Sequence, residues 1–336
     1  RYSEPRPDGG PNGRIAGYGP ITASGALGYL GLSLAREAGI TSESIEKSHR
    51  AQQAFFGHFG GKSGMGYGEM PYGIRGGGGD YNGKCSNSGI ALSLVKGQEE
   101  KTKFFAKQAA MSTYGVRQYA HGGTYFGQVM HPVAADLGGP KMANLQFREV
   151  QWHMDLKRRW DYHYTYDSKS NGYNGFDKSA VALLFYALPL KQIVMTGRDR
   201  NPALEFTDAE FADALKVKNY DATKLTLDQL FADLPTAKGF LIGPVAAELK
   251  RRVEANPEAA ESAEIIDRLL KMALDPNAGM HGQIGACGAM LIIKERSKEP
   301  VTSMKNAEIA AAMVALLSHE TAYIRFGAVR VMQRLD

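Results

Sequence analysis

Cysteine is nearly absent from this chain: Cys85 and Cys287 are the only two in 336 residues. Two residues that far apart exclude a disulfide framework and leave open a single long-range bridge. No run of about 18 apolar residues occurs, so no segment reads as a membrane-spanning helix. Charge of one sign is scarce as well. Forty basic against 35 acidic residues leave +5, without the Lys/Arg block of a nucleic-acid-binding arm. Nucleic acid is therefore not an expected partner; a weak preference for anionic ones is. The glycosylation acceptor Asn-x-Ser/Thr is missing. The glycine run from Gly76 to Gly79, followed by Asp80, lacks the Lys-Ser/Thr and the preceding strand of a phosphate-binding loop. The chain opens at Arg1 rather than Met, which points to a processed product or a piece of something longer.

What is present is helical. Hydrophobic content of 43% and charged content of 22% are those of a globular protein long enough for one large or two ordinary domains. Of the 39 glycines, 32 precede residue 200, as do 14 of the 16 tyrosines, whereas the remainder is rich in Ala, Leu, Glu and Lys. That shift divides the chain into a first domain over 1–198, a linker with short helices over 199–239, and a helical domain over 240–336.

Three stretches share one pattern: Thr22 to Leu30, Asn87 to Leu94 and Lys178 to Leu184 start polar, turn small, then turn aliphatic. A hydroxyl or amide ahead of an apolar run is a helix start, because it can accept an orphan N–H of the first turn. Small first-turn residues let neighbouring helices approach, so the repeat reads as inner helices of a ring with their polar ends around one mouth. Between them the spacing predicts helices over 42–58, 99–114, 125–137 and 141–160. Pro132 is expected to bend or shorten the third of these. In the last, Leu145, Trp152, Leu156 and Trp160 recur at helical spacing, and both tryptophans read as core or funnel wall. On the same helix Glu149/His153 and Asp155/Arg159 stand four apart and can pair. Helices over 244–255, 257–274, 282–295, 306–318 and 321–335 complete the chain in a pattern that suits HEAT-like stacking.

Specific blocks carry a resemblance: His121-Gly122-Gly123-Thr124-Tyr125-Phe126, Gly138-Gly139-Pro140, the run from Gln151 to Asp161 (QWHMDLKRRWD), and Met195-Thr196-Gly197-Arg198. Over roughly Asn12 to Arg198 the chain resembles an uncharacterised bacterial family of α/α-toroid proteins, domain of unknown function 6288. The resemblance implies an all-α fold, a toroid of the terpenoid-cyclase and prenyltransferase type followed by a HEAT-like part. It also implies export, to the periplasm or beyond the cell. The paired aspartates of terpene chemistry are missing, and the family brings no established reaction.

A toroid leaves a central funnel, and the residues placed at its mouth suit glycan chemistry. Aromatic faces stack on sugars, a Tyr or His moves a proton, and a carboxylate acts as acid or base. The catalytic candidates are His121, Tyr125, Asp161, Tyr166 and Asp177; Arg117, Tyr119, His131 and Trp160 are candidate ligand-binding residues. Asp161 and Asp177 are the pair a hydrolase would use, whereas a lyase would use His or Arg to neutralise a uronate. Some toroid enzymes hold zinc, and the resemblance offers Asp80, Cys85 and His121 as a weaker alternative; otherwise no cofactor is expected. The expected function is a funnel that binds a polysaccharide and, in its stronger form, cleaves it by hydrolysis or elimination. The competing expectation is a non-catalytic scaffold that associates with itself or with another protein.

Overall fold

The computed structural model describes residues 22–62, 65, 84–112, 123–165, 177–190, 199, 201–236, 239–295 and 297–335. The described residues form fourteen α-helices and no strand, so the protein is all-α. The chain forms two compact units, with the main division between Phe211 and Ala212 and with Gly61 and Lys62 assigned to the second unit. The stretch 199–239 holds helices α8 (Asp208–Lys218) and α9 (Leu227–Asp233), and its residues are shared between the units.

The first unit contains α1 (Thr22–Glu37), α2 (Glu43–Gly57), α3 (Lys84–Ser93), α4 (Glu99–Met111), α5 (Gly123–Leu137), α6 (Pro140–Leu156) and α7 (Ser179–Ala187). Their packing follows chain order in two series. Among the odd-numbered helices α1 packs on α3, α3 on α5, and α5 on α7. Of the even-numbered ones α2 lies against α1 and α3, while α4 lies against α3, α5 and α6. Close approach in this layer needs small residues. A Cβ added at Gly89 on α3 would sit 2.7 Å from Phe105 Cβ on α4, well inside van der Waals contact. Between α6 and α7 the apolar contact is made by Val150, Met154, Val181 and Phe185, with Phe147 stacked on Phe185 at 4.6 Å between ring centroids.

One alternative for Pro132 is removed and one expectation about this unit needs correction. Pro132 does not shorten α5, which runs on past it to Leu137. Val133, Ala134 and Ala135 just beyond it are buried, and that burial holds the turn despite the lost N–H bond. The helix expected over 141–160 is α6, which stops at Leu156, and its buried face is not the one marked by the tryptophans. Met142, Gln146, Val150, His153 and Met154 face inward, while Trp152, Leu156 and Trp160 are exposed. The apolar stripe read from Leu145 to Trp160 is thus mostly outer surface.

The second unit holds α10 (Ile242–Ala255), α11 (Ala260–Leu274), α12 (Gly279–Lys294), α13 (Asn306–Leu316) and α14 (Ala322–Met332). Helix α12 is its centre: nearly every residue from Gly282 to Lys294 is buried, and α10, α11 and α14 pack around it. Apolar character all round is what a fully surrounded helix requires. Cys287 on this helix is buried and its thiol is pushed up to about 12 by desolvation. Cys85 and Cys287 are both thiols, so the long-range bridge left open by the sequence is not formed. Lys294 ends α12 in the interior. Its ammonium donates to the carbonyls of Val301, Thr302 and Met304 at 2.9, 3.0 and 2.6 Å, and to Asn306 Oδ1 at 2.8 Å. Burial pulls its pKa down to about 8, with the Glu299 carboxylate opposing.

Gly89→Ala should destabilise the first unit by about 1–3 kcal/mol, because the Phe105 Cβ cannot swing away. Gly28→Ala, at an exposed position of α1 where nothing lies within 4 Å, should instead be neutral or stabilising by about 0.5–1 kcal/mol; chemical denaturation of both measures the contrast. In the second unit, a lysine whose folded pKa is depressed disfavours folding while protonated. That cost is present below about pH 8 and is relieved as pH rises toward the ordinary lysine value of about 10.4. Lys294→Met should remove this rise in stability with pH, and it should lower stability at neutral pH by about 1–3 kcal/mol, because buried carbonyls lose their donor. Denaturant midpoints measured from pH 7 to 10 test both statements.

Candidate functional site

Three of the predicted residues, Trp160, Asp161 and Asp177, lie on the connection that joins α6 to α7. After Leu156 the chain turns back on itself, with isolated antiparallel bridges between Arg158 and Tyr164 and between Thr165 and Asp177. Backbone bonds close the turn: Arg159 N–H donates to His163 O at 2.8 Å, and Tyr162 N–H to Arg159 O at 3.0 Å. Tyr162 takes a left-handed backbone, φ 69°, which a β-carbon disfavours and which costs roughly 1–3 kcal/mol. The Arg158 guanidinium lies 4.7 Å from the Tyr162 ring centroid and holds the ring in place. Trp160 is 89% exposed and Tyr162 72%.

Two carboxylates and an imidazole share this corner. Asp161 accepts the His163 backbone N–H at 3.3 Å, and its other oxygen lies 3.3 Å from His163 Nδ1. The hydrogen bond from His163 holds the Asp161 carboxyl below the usual aspartate range. Asp177 accepts the Ser179 N–H at 2.7 Å. Hydrogen bonds from Ser179 hold its carboxyl low as well, with a smaller contribution from the charge of His163. Both acids are therefore ionised at neutral pH. His163 stands between them in the electrostatic sense, and an Asp–His pair of this kind orients an imidazole for proton transfer. His163 is not among the candidates that the sequence singles out; the Asp-x-His spacing inside an aromatic loop is the signal that marks it.

Behind the corner lies a buried polar layer. Lys178, one residue after Asp177, is 1% exposed, with its Nζ 3.5 Å from Gln128 Oε1 and 3.5 Å from His153 Nε2. His153, expected to pair with Glu149, thus belongs to the interior. Asp155, expected to pair with Arg159, accepts the Tyr186 hydroxyl instead, because α6 ends before Arg159 is reached. His131 is fully buried, with Nδ1 2.8 Å from Ser86 Oγ, so it does not lie open at a mouth as a ligand-binding residue would. Ser86, Asn87 and Ser88 in the first half of α3, Gln128 and His131 on α5, and Lys178 ahead of α7 are all buried. The polar ends of α3 and α7 therefore contribute to one unit's interior.

The other candidates stand as follows. Arg117, Tyr119, His121, Tyr166 and Asp80 lie outside the described residues, and Tyr125 lies in the first turn of α5. Cys85 is buried, and its sulfur accepts the Met65 N–H at 3.5 Å. Among the described residues no group of three His, Cys, Asp or Glu side chains is placed to hold a metal ion. A cleft of about 130 Å³ opens at the far ends of α5 and α7, between Pro132, Pro140, Phe147, Phe185 and Pro189. It is smaller than the roughly 300–1,000 Å³ of pockets that enclose a drug-sized ligand, and it holds none of the candidates.

These features define an all-helical protein whose first unit exposes aromatic rings beside an Asp–His pair, backed by a buried polar layer. The chain belongs to the family described as a domain of unknown function (DUF6288), whose profile matches residues 4–197. No curated protein and no solved structure matches the chain.

Since the Asp177 carboxyl is lower in the folded state, it contributes stability above the ordinary aspartate range and loses it as pH falls through the folded value. Asp177→Asn should therefore flatten the acid limb of the stability curve between about pH 5 and pH 2, read by circular dichroism at fixed temperature.

Proposed function

We propose that the first unit is an α/α toroid that binds a polysaccharide at the α6–α7 corner and cleaves it, in a protein that works outside the cytoplasm and carries a HEAT-like second unit. The toroid reading draws support from the packing series, with α1, α3 and α5 each against the next odd-numbered helix, and with α2 and α4 each against the two neighbours they connect. The glycan reading rests on one observation above all: exposed Trp160 and Tyr162 flank an Asp161–His163 pair. Flat rings offer stacking surface to a pyranose, and a carboxylate-held imidazole beside them can move a proton.

The chemistry is narrowed by the two carboxylates. Hydrolysis by a pair of acids needs one of them protonated, and both Asp161 and Asp177 are held in the ionised form. His163 is then the group that exchanges a proton, with Asp161 orienting it and Asp177 adding negative charge nearby. This division serves hydrolysis with His163 as acid, or elimination with His163 as base.

A non-catalytic scaffold is the second reading, favoured by Val314, Leu317 and Val329, which are exposed on or just beyond the adjacent helices α13 and α14. The two readings part in one experiment. Incubation with a panel of plant and bacterial polysaccharides should yield new reducing ends or unsaturated ends, and His163→Ala should abolish them with binding and melting temperature retained. A protein that forms a stable assembly by light scattering, binds no polysaccharide and yields no product would replace the enzyme with the scaffold.

A further inference from the structure

The outer face of the α6–α7 corner carries charges of both signs that are not paired with each other. Asp155 accepts the Tyr186 hydroxyl, Asp161 lies against His163, and Asp177 accepts the Ser179 N–H. Among the described residues neither Arg158 nor Arg159 has a carboxylate within ion-pair distance, and both are exposed; Arg158 only covers the Tyr162 ring. Exposed apolar side chains lie along the same stretch of chain, with Trp160 and Tyr162 beside the arginines in sequence and Trp152 and Leu156 on the last turns of α6. The corner therefore presents two guanidiniums without a carboxylate partner among the described residues, beside exposed aromatic side chains, on a turn closed by its own backbone bonds.

We infer that this surface is a subsite for an acidic polysaccharide, one that carries carboxylates on its pyranose rings. The inference rests on the glycan reading above and names the substrate class of that same site. Trp160 and Tyr162 stack on sugar faces, while the Arg158 and Arg159 guanidiniums take ring carboxylates through paired N–H donors. A neutral glycan would use the rings and leave the guanidiniums without a counter-charge. An acidic one uses both. Because Tyr162 is held in the left-handed region and under Arg158, the platform is set before ligand arrives, so little ordering is left for binding to impose. With a uronate seated there, elimination becomes the favoured chemistry for His163. The imidazole takes the ring proton next to the carboxylate, the ring double bond forms, the glycosidic carbon–oxygen bond breaks, and the leaving oxygen takes a proton from water.

The test is binding of the full chain to polygalacturonate, with neutral xylan and anionic phospholipid vesicles as comparators, by affinity electrophoresis and calorimetry. The expected result is binding of polygalacturonate that weakens with salt and exceeds xylan at least tenfold. It should fall by about tenfold or more in Arg158→Gln/Arg159→Gln and in Trp160→Ala, with Arg159→Lys partly rescued and all melting temperatures unchanged. Equal binding of xylan and polygalacturonate, unaltered by the arginine changes, would overturn the acidic-substrate inference and leave the glycan reading standing. Binding of vesicles in preference to either polymer would overturn the inference too. Loss of all polysaccharide binding, with the fold intact, would remove the glycan reading itself.

Discussion

A single backbone bond organises the first unit's chemistry: the Lys178 N–H donates to Tyr164 O at 2.8 Å, while Tyr164 N–H returns to Ser179 Oγ at 3.1 Å. Residues in this short paired stretch alternate in direction, as they do in any extended segment. Asp177 therefore points outward, where it meets water and Ser179, and Lys178 points inward. A slip of one residue would exchange them, with an unpartnered carboxylate inside and the ammonium in solvent. The pairing thus decides which charge belongs to the surface site and which to the interior.

An ammonium in the interior requires partners, since burying a charge without them is prohibitive. Helices α5 and α6 provide Gln128 and His153 from faces that otherwise pack Val129, Val150 and Met154. The Ser86–His131 contact ties α3 to α5 in the same way. Polar contacts of this kind add direction to a helical core, because an apolar interface tolerates rotation of one helix against another and a hydrogen bond does not. The corner's outer residues inherit that rigidity. Trp160 and Tyr162 are exposed, yet the turn that carries them is anchored to a helix on each side.

Much of this is legible in the amino-acid order. The polar-small-aliphatic starts at Thr22, Asn87 and Lys178 all fall at or near helix beginnings, and most helix boundaries lie within a few residues of their predicted places. Asp161, Asp177 and Trp160 all fall on the connection between α6 and α7, as their places in the sequence require. Orientation is harder to read. Trp152 and Leu156 have the apolar character of core residues, whereas Gln146 and His153 have that of surface residues, yet their places are reversed. Periodicity locates a helical face but does not say which face meets the core when a polar side chain has a buried partner waiting on another helix. His131 illustrates the same point, since nothing local to α5 announces Ser86, 45 residues earlier.

Helix content and the approximate helix positions are properties of the chain's amino-acid order, because helical periodicity and caps are local. The burial of Lys178, the outward turn of the tryptophans and the pairing of Asp161 with His163 were decided only by tertiary packing. Each depends on a partner or a backbone register supplied by a distant segment, and the free energy of a buried charge is set by what surrounds it rather than by its neighbours in sequence.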